Sequence, residues 1–363
     1  GTLSAAGLVQ DGARLAVRAR LNVGALAPAG CAAVRLPPHE RDMARRMMRA
    51  YEAMGCEPSW TCAPYQAGHR PAAGSDVARG ESNAVVFCNS VLVARTNRYG
   101  DFLDIACAVS GRAPDYGLHR PANRLATLLI DVTGLSQELR RSDVFYPVLG
   151  TILGRRAGSA VAVIDGLQGC TNEDRLKALG AAAASAGGVG LFHVAGVTPE
   201  APDLAGALGH VPPRERIALT AQDVAAALAG LSTAGGSERI DAVAIGSPHL
   251  SLAEIDALER LIAGRRLAIP LYANTGRHVL APLERAGRRK ALETAGVVFV
   301  ADTCVVVTPI LPQIAGAVLM TNSGKFAHYA PGNTGYAVTY GSLRECVESA
   351  VAGRLVREPR QWS

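Results

Sequence analysis

The sequence predicts an α/β protein with mostly parallel strands flanked by helices, and three observations carry that prediction. From about residue 160 onward one pattern recurs: a β-branched apolar run, a polar or Gly-rich break, then an Ala-rich helical stretch. The apolar runs are nearly continuous rather than alternating, as strands covered on both faces require. Polar side chains gather behind each run, at the sheet edge where open α/β folds bind their ligands.

Taken in chain order, the first element is a helix at about 38–54, followed by a Pro-broken loop from Trp60 to Tyr65. The segment 82–104 then packs Asn-Ser and Ser-Asn pairs and the cluster Arg95-Thr96-Asn97-Arg98 around a short, strand-like apolar run. That density of amide, hydroxyl and guanidinium groups suits a small anionic ligand, since the guanidinium fork grips carboxylate with two parallel hydrogen bonds. The plainer alternative is a polar loop beside a core strand. Strands are expected at 160–164, 190–194, 241–245, 267–272, 297–301 and 317–320. The stretch 142–156 is read as the boundary between an N-terminal α/β lobe, 1–150, and a β/α-repeat lobe, 151–363, although its apolar content equally suits a core helix.

Composition narrows the function classes. With 363 residues, 49% of them hydrophobic, the chain can bury a large core, and 39 glycines with only 5% aromatic residues favour close-packed helices on sheets. The net charge of +6 is dispersed, and no aromatic residues interleave with its basic clusters, which argues against nucleic acid as a partner and for acidic substrates. No apolar run reaches membrane-spanning length and the start of the chain lacks a signal-peptide pattern, so a cytoplasmic protein with no membrane partner is expected. The eight cysteines lie far apart with no CxxC, which excludes a zinc ribbon or thioredoxin motif but not a centre assembled from distant loops.

Several constellations bear on chemistry. Cys62 sits in the Pro-broken loop and Cys304 closes an expected strand, so two thiols could meet over a cleft and hold iron; two buried, inert cysteines are the commoner outcome for such residues taken singly. Cys31, Cys56, Cys88 and Cys170 read as structural. Gly246-Ser247-Pro248-His249 brings a histidine to a strand end, where it can ligate metal, shuttle a proton or merely cap a helix. Thr321-Asn322-Ser323-Gly324-Lys325 resembles an anion cradle without the spacing of a Walker A loop.

Together these residues resemble the aconitase X family, and specifically its large subunit. The matching motifs are Thr61-Cys62-Ala63-Pro64-Tyr65, Glu81-Ser82-Asn83 running to Ala94-Arg95-Thr96-Asn97-Arg98, Gly117-Leu118-His119, the Gly-x-Pro-His at 246–249 with Ser251, Asp302-Thr303-Cys304, and 321–325 with His328-Tyr329. They span nearly the whole chain. The resemblance implies an aconitase-like multi-lobe fold with its site at the carboxyl ends of strands, and an iron-sulfur hydro-lyase that removes water from a small hydroxy acid. Of the family's two substrate classes, Tyr99-Gly100-Asp101 looks like the cis-3-hydroxy-L-proline type, since Asp101 suits a cationic ring nitrogen and repels phosphate. Phosphomevalonate is the alternative substrate, and a cluster-bearing sensor or RNA-binding protein is the alternative class.

The resemblance also suggests roles. Ser82, Asn83, Arg95, Thr96, Asn97, Arg98, Tyr99 and Ser323 would bind substrate, while Lys325, His249 and Asp101 would take part in catalysis. Cys62 and Cys304 would hold the cluster. Ser247 stands where many members carry a third cysteine, so Cys107 is expected to replace it, with Cys346 second. That exchange favours a 2Fe-2S cluster over a 4Fe-4S cluster or mononuclear iron. The small swivel domain is not in this sequence, so a separate small subunit bearing a serine base is the expected partner.

Overall fold

The chain is described by a computed structural model covering residues 2–27, 34–100 and 102–359. Two parallel sheets follow one another in sequence. The first holds β1 (Leu128–Asp131), β2 (Ala162–Asp165), β3 (Phe192–Val194) and β4 (Glu215–Ala218), ordered β3-β2-β1-β4. The second holds β5 (Ala242–Leu250), β6 (Leu271–Thr275), β7 (Val297–Ala301), β8 (Val318–Thr321) and β9 (Ala337–Tyr340), ordered β7-β6-β5-β8-β9. All pairings among these strands are parallel, with Leu128 opposite Ala162 and Leu271 opposite Val297.

The expected strands are present within a few residues, and β1, β4 and β9 are additions. β4 begins with the exposed Glu215-Arg216, and charge on an edge strand guards against sheet-to-sheet pairing while erasing the apolar signal. Within β5, Ala242 and Ala244 face the central core while Val243 and Ile245 face the outer helices. That alternation is the period of two along a strand.

Residues before β1 form helices and loops joined by isolated bridges, Arg20 to Glu57, Asp76 to Arg95 and Arg79 to Arg98; among the described residues they build no sheet of their own. The helix Pro38–Met54 begins with proline at its first position and stops at Gly55, whose φ of 107° lets its N–H reach the carbonyls of Tyr51 and Glu52. The strand-like run in 82–104 is instead the helix Ser82–Ser90, buried from Asn83 to Ser90. A helix buried all round shows no polar stripe, and periodicity cannot separate it from a buried strand.

The stretch 142–156 is mostly the helix Phe145–Ala157, so a division at residue 150 falls inside a buried element. This helix lies backbone to backbone against the helix Glu173–Ala186. A Cβ on Gly150 would stand 2.2 Å from the Leu179 carbonyl oxygen, and one on Gly154 would stand 2.6 Å from that of Ala183. The second helix also packs on Ser82–Ser90 and on β5, which joins the N-terminal region to both sheets. No helix among the described residues is long and apolar enough to cross a membrane.

Candidate active site

Strand order reverses between β5 and β8, and an open parallel sheet leaves a crevice at such a reversal, at the carboxyl ends of its strands. The end of β5 is bulged there: Ile245 pairs with Ala273 and pairing resumes at Leu250 with Thr275, so residues 246–249 stand opposite Asn274 alone. A bulge of this kind re-aims side chains. Gly246 has φ 90°, and a Cβ on it would lie 2.2 Å from the Asn274 carbonyl oxygen. Across the reversal, Ser323 caps the helix Gly324–Thr334 by accepting the Phe326 N–H at 3.1 Å, and its hydroxyl donates to the Ser247 carbonyl.

Two loops deliver thiols to this point. Thr61-Cys62 follows Trp60, at φ 44°, and Thr303-Cys304 follows Asp302, at φ 67°. Left-handed backbone is costly for such residues and persists where the surroundings enforce it. Asp302 is gripped by Arg277, Nε to Oδ1 at 2.5 Å and Nη2 to Oδ2 at 2.9 Å, while Trp60 is packed with Met48 and Leu26. Both thiols are buried, and burial pushes Cys62 up to about 12 and raises Cys304 as well.

His249 ties the two loops together. Its backbone N–H donates to Cys62 Sγ at 3.3 Å, its Nε2 lies 2.9 Å from the Thr303 carbonyl oxygen, and its Nδ1 lies 3.0 Å from Thr61 Oγ1. A carbonyl only accepts, so Nε2 carries the hydrogen and Nδ1 accepts from the Thr61 hydroxyl. The ring is completely buried, and burial lowers it to about 4, which keeps it neutral. Both ring nitrogens of His249, expected among the catalytic groups, are thus engaged within the fold.

The charged centre is the pair Lys325 and Glu81, with Nζ 2.6 Å from Oε1. Burial alone would lower the Lys325 ammonium, but the Glu81 carboxylate and the two thiols outweigh it and hold the group above its ordinary range. Glu81 is correspondingly held below its range by Lys325 against the opposing effect of burial, with further help from Asn22 and the Asn83 N–H. Glu81 is also the N-cap of Ser82–Ser90, accepting the Asn83 N–H at 3.2 Å, so one carboxylate starts a helix and pins the lysine. The sequence offered that signal in Glu81-Ser82-Asn83, but a strand assignment concealed the cap.

Most of the segment expected to clamp substrate is hydrogen-bonded within the fold. Asn83 donates to the Cys62 carbonyl at 2.9 Å and accepts from Tyr65 at 3.2 Å, so it sets the thiol loop. The Thr96 hydroxyl donates to the Asn97 carbonyl, and the Asn97 amide holds Tyr116 and Leu118. The Arg95 backbone pairs across from Asp76. Arg98 is exposed and donates from Nη1 to the Gly187 carbonyl at 2.7 Å, away from the thiols. Tyr99 bonds through its hydroxyl to His119 Nε2 at 2.5 Å, and His119 Nδ1 reaches Asp76 at 2.7 Å. Ser82 is half-buried in the first turn of its helix. Asp101 and Cys31 lie outside the described residues.

Cys107 also departs from expectation. It sits in the helix Leu103–Ser110 and, with Cys56 and Asp104, lines the same cavity as Thr61 and Glu81, without joining Cys62 and Cys304 in a metal-holding group. Cys346 is buried in the outer core of the second sheet. Iron-sulfur clusters are held by thiolates, commonly four. Cys62 and Cys304 would supply two, with the Ser247 hydroxyl bonded to Cys304, and among the described residues no group of three or more His, Cys, Asp or Glu side chains is arranged to hold a metal. The described residues thus do not complete a cluster's ligand set.

Two cavities flank the crossing. The larger, about 790 Å³, opens on Ser247, Ser323 and Lys177, and most of its charges are paired, Arg265 with Glu348 at 2.7 Å and Lys177 with Asp174 at 2.9 Å. The smaller, about 580 Å³, is lined by Trp60, Thr61, Glu81, Arg18, Arg20 and Arg79 among others. Lys177, almost wholly buried, also donates to the His249 carbonyl at 3.3 Å and braces the bulge from behind.

Comparisons with known proteins fit this arrangement. Family models of the aconitase X first, second and third domains match residues 1–122, 126–229 and 240–352. The chain is 45% identical over 316 residues to cis-3-hydroxy-L-proline dehydratase of Pseudomonas aeruginosa, covering 86% of this chain and 54% of that protein. It is 40% identical over 306 residues to the phosphomevalonate dehydratase large subunit of Methanothermobacter thermautotrophicus, covering 82% and 72%. The holo-form crystal structure of Thermococcus kodakaraensis aconitase X superposes with a TM-score of 0.85 at 31% identity, covering 96% of this chain and 85% of that one. The chain spans about half the length of the hydroxyproline dehydratases it matches, 54% and, for the Hypocrea jecorina protein, 53%.

Proposed function

The chain belongs to the aconitase X family, and from that premise we propose that it forms the large part of a hydro-lyase that removes water from cis-3-hydroxy-L-proline. The product would be an enamine that tautomerises to Δ1-pyrroline-2-carboxylate. The observation that carries this reading is the buried Lys325–Glu81 pair set beside Cys62 and Cys304 at the strand reversal, against a cavity suited to a small acid.

Elimination needs a base for the α-proton and a group that stabilises the departing hydroxyl. Lys325 suits the second task, because it stays protonated and Glu81 fixes the direction of its ammonium. His249 and Thr61 hold the thiol loop, and Asn83 fixes the Cys62 backbone. The base is assigned to a small domain outside these 363 residues, closing over the crevice. An amino-acid substrate is favoured by the 45% identity to a hydroxyproline dehydratase and by Asp101, whose charge suits a cationic ring nitrogen. An iron-sulfur cluster held in part by Cys62 and Cys304 belongs to the same proposal.

The test is anaerobic purification with the small domain supplied, iron and acid-labile sulfide analysis, and assay on both candidate substrates. Turnover of cis-3-hydroxy-L-proline is expected, with Cys62→Ser and Cys304→Ser each losing iron and activity together. Activity on phosphomevalonate alone would overturn the substrate, and protein free of iron and sulfide would overturn the cluster.

A further inference from the structure

Arg79 lies 9% exposed on the wall of the smaller cavity, two residues before Glu81. Its guanidinium is underused. Nε has no hydrogen-bond partner, Nη2 has a 3.4 Å contact to His69 Nδ1, and the weakly accepting Cys88 sulfur is a further neighbour. Among the described residues no carboxylate comes within ion-pair distance of it. Guanidinium keeps its charge in any protein, and a buried cation with no carboxylate partner favours an anion placed against it.

Other basic groups line the cavity beside the carboxylates of Asp76, Glu81 and Asp104, and two of them, Arg18 and Arg20, share the single carboxylate of Glu57. His69 is pushed down to about 4 by burial and then by Arg79, Arg20 and Arg18, so this corner repels further positive charge. Arg98, the guanidinium that the sequence suggested for a carboxylate clamp, is bonded to Gly187 instead, while its backbone bridges to Arg79.

We infer that Arg79 is the anchor for the carboxylate of a small amino-acid ligand in this cavity, a positioning and specificity residue that turns the ligand's hydroxyl toward Lys325 and Glu81. The identity of the ligand rests on the dehydratase reading; the anion site does not. Fixing the carboxylate at Arg79 leaves the rest of a small ring inside the cavity that Glu81, the partner of Lys325, also lines.

The experiment compares L-proline with L-prolinamide, which lacks the negative charge, on the full chain and on Arg79→Gln and Arg79→Lys, with Trp60 on the cavity wall as fluorescence reporter and calorimetry alongside. The native chain should bind proline at least tenfold more tightly than the amide. Arg79→Gln should abolish that preference and Arg79→Lys should retain part of it, both with unchanged circular dichroism. Equal affinity for acid and amide in the native chain, or an unchanged preference in Arg79→Gln, would overturn the anchor. In turnover assays with the small domain, Arg79→Gln should raise KM far more than it lowers kcat. A native chain that prefers proline to its amide yet fails to dehydrate the hydroxyproline would remove the dehydratase reading and leave the anchor standing.

Discussion

On the proposed function, the Lys325–Glu81 contact serves stability and chemistry together. Removing one member of a buried ion pair strands the other, at a cost of about 3 kcal/mol or more. Lys325→Met should therefore lose stability by about that much and turnover by about a hundredfold or more. The double variant Glu81→Gln with Lys325→Met should regain most of the stability in denaturant titration and none of the turnover. A second residue sets a pH limit away from the site. His193 is buried, with Nε2 2.7 Å from the Arg124 carbonyl oxygen and Nδ1 unpartnered, and burial lowers its pKa. Below roughly pH 6.5 the unfolded histidine takes up a proton that the folded one refuses, so this share of stability is present above that pH and is lost as pH falls toward the lowered value. His193→Gln keeps an N–H donor but cannot titrate, so the fall in melting temperature between about pH 7.5 and about pH 5.5 should be smaller in the variant.

Among the elements, the paired helices Phe145–Ala157 and Glu173–Ala186 decide whether the site is assembled. Their close approach depends on Gly150 and Gly154, one turn apart, and the second helix carries Lys177 to the back of the β5 bulge. Gly150→Ala would drive a methyl into the Leu179 carbonyl and should destabilise the fold by about 3 kcal/mol, read from chemical denaturation. Ser185→Ala on the same pair removes a hydrogen bond to the Ala181 carbonyl at 2.8 Å without adding volume, and should cost only about 1 kcal/mol. The helix Ser82–Ser90 marks the limit of pattern reading at this scale. Ala84-Val85-Val86-Phe87 carries no polar stripe because every side is buried, and only the tertiary environment separates helix from strand there.

Across the whole molecule, the order β7-β6-β5-β8-β9 creates the crevice and the N-terminal loops fill it. Trp60-Thr61-Cys62 and Glu81 come from the region without a sheet, and they meet β5, β7 and β8 only because the central helix pair docks that region onto the second sheet. On the proposed placement of the base in a small domain, these 363 residues alone should show little dehydration and gain activity in proportion to added small domain up to one equivalent, as a titration of turnover would register. The sequence by itself determined the β/α alternation, the strand-end position of His249, Cys304 and Lys325, and the family, because continuous apolar runs and the residues that follow them are local features. Only the tertiary structure decided that Arg98 faces Gly187, that Cys62, Cys107 and Cys304 form no metal-holding group, and that Arg79 and Glu81 line the cavity. Those outcomes depend on how separate elements dock, and the direction in which a buried side chain points is fixed by neighbours hundreds of residues away.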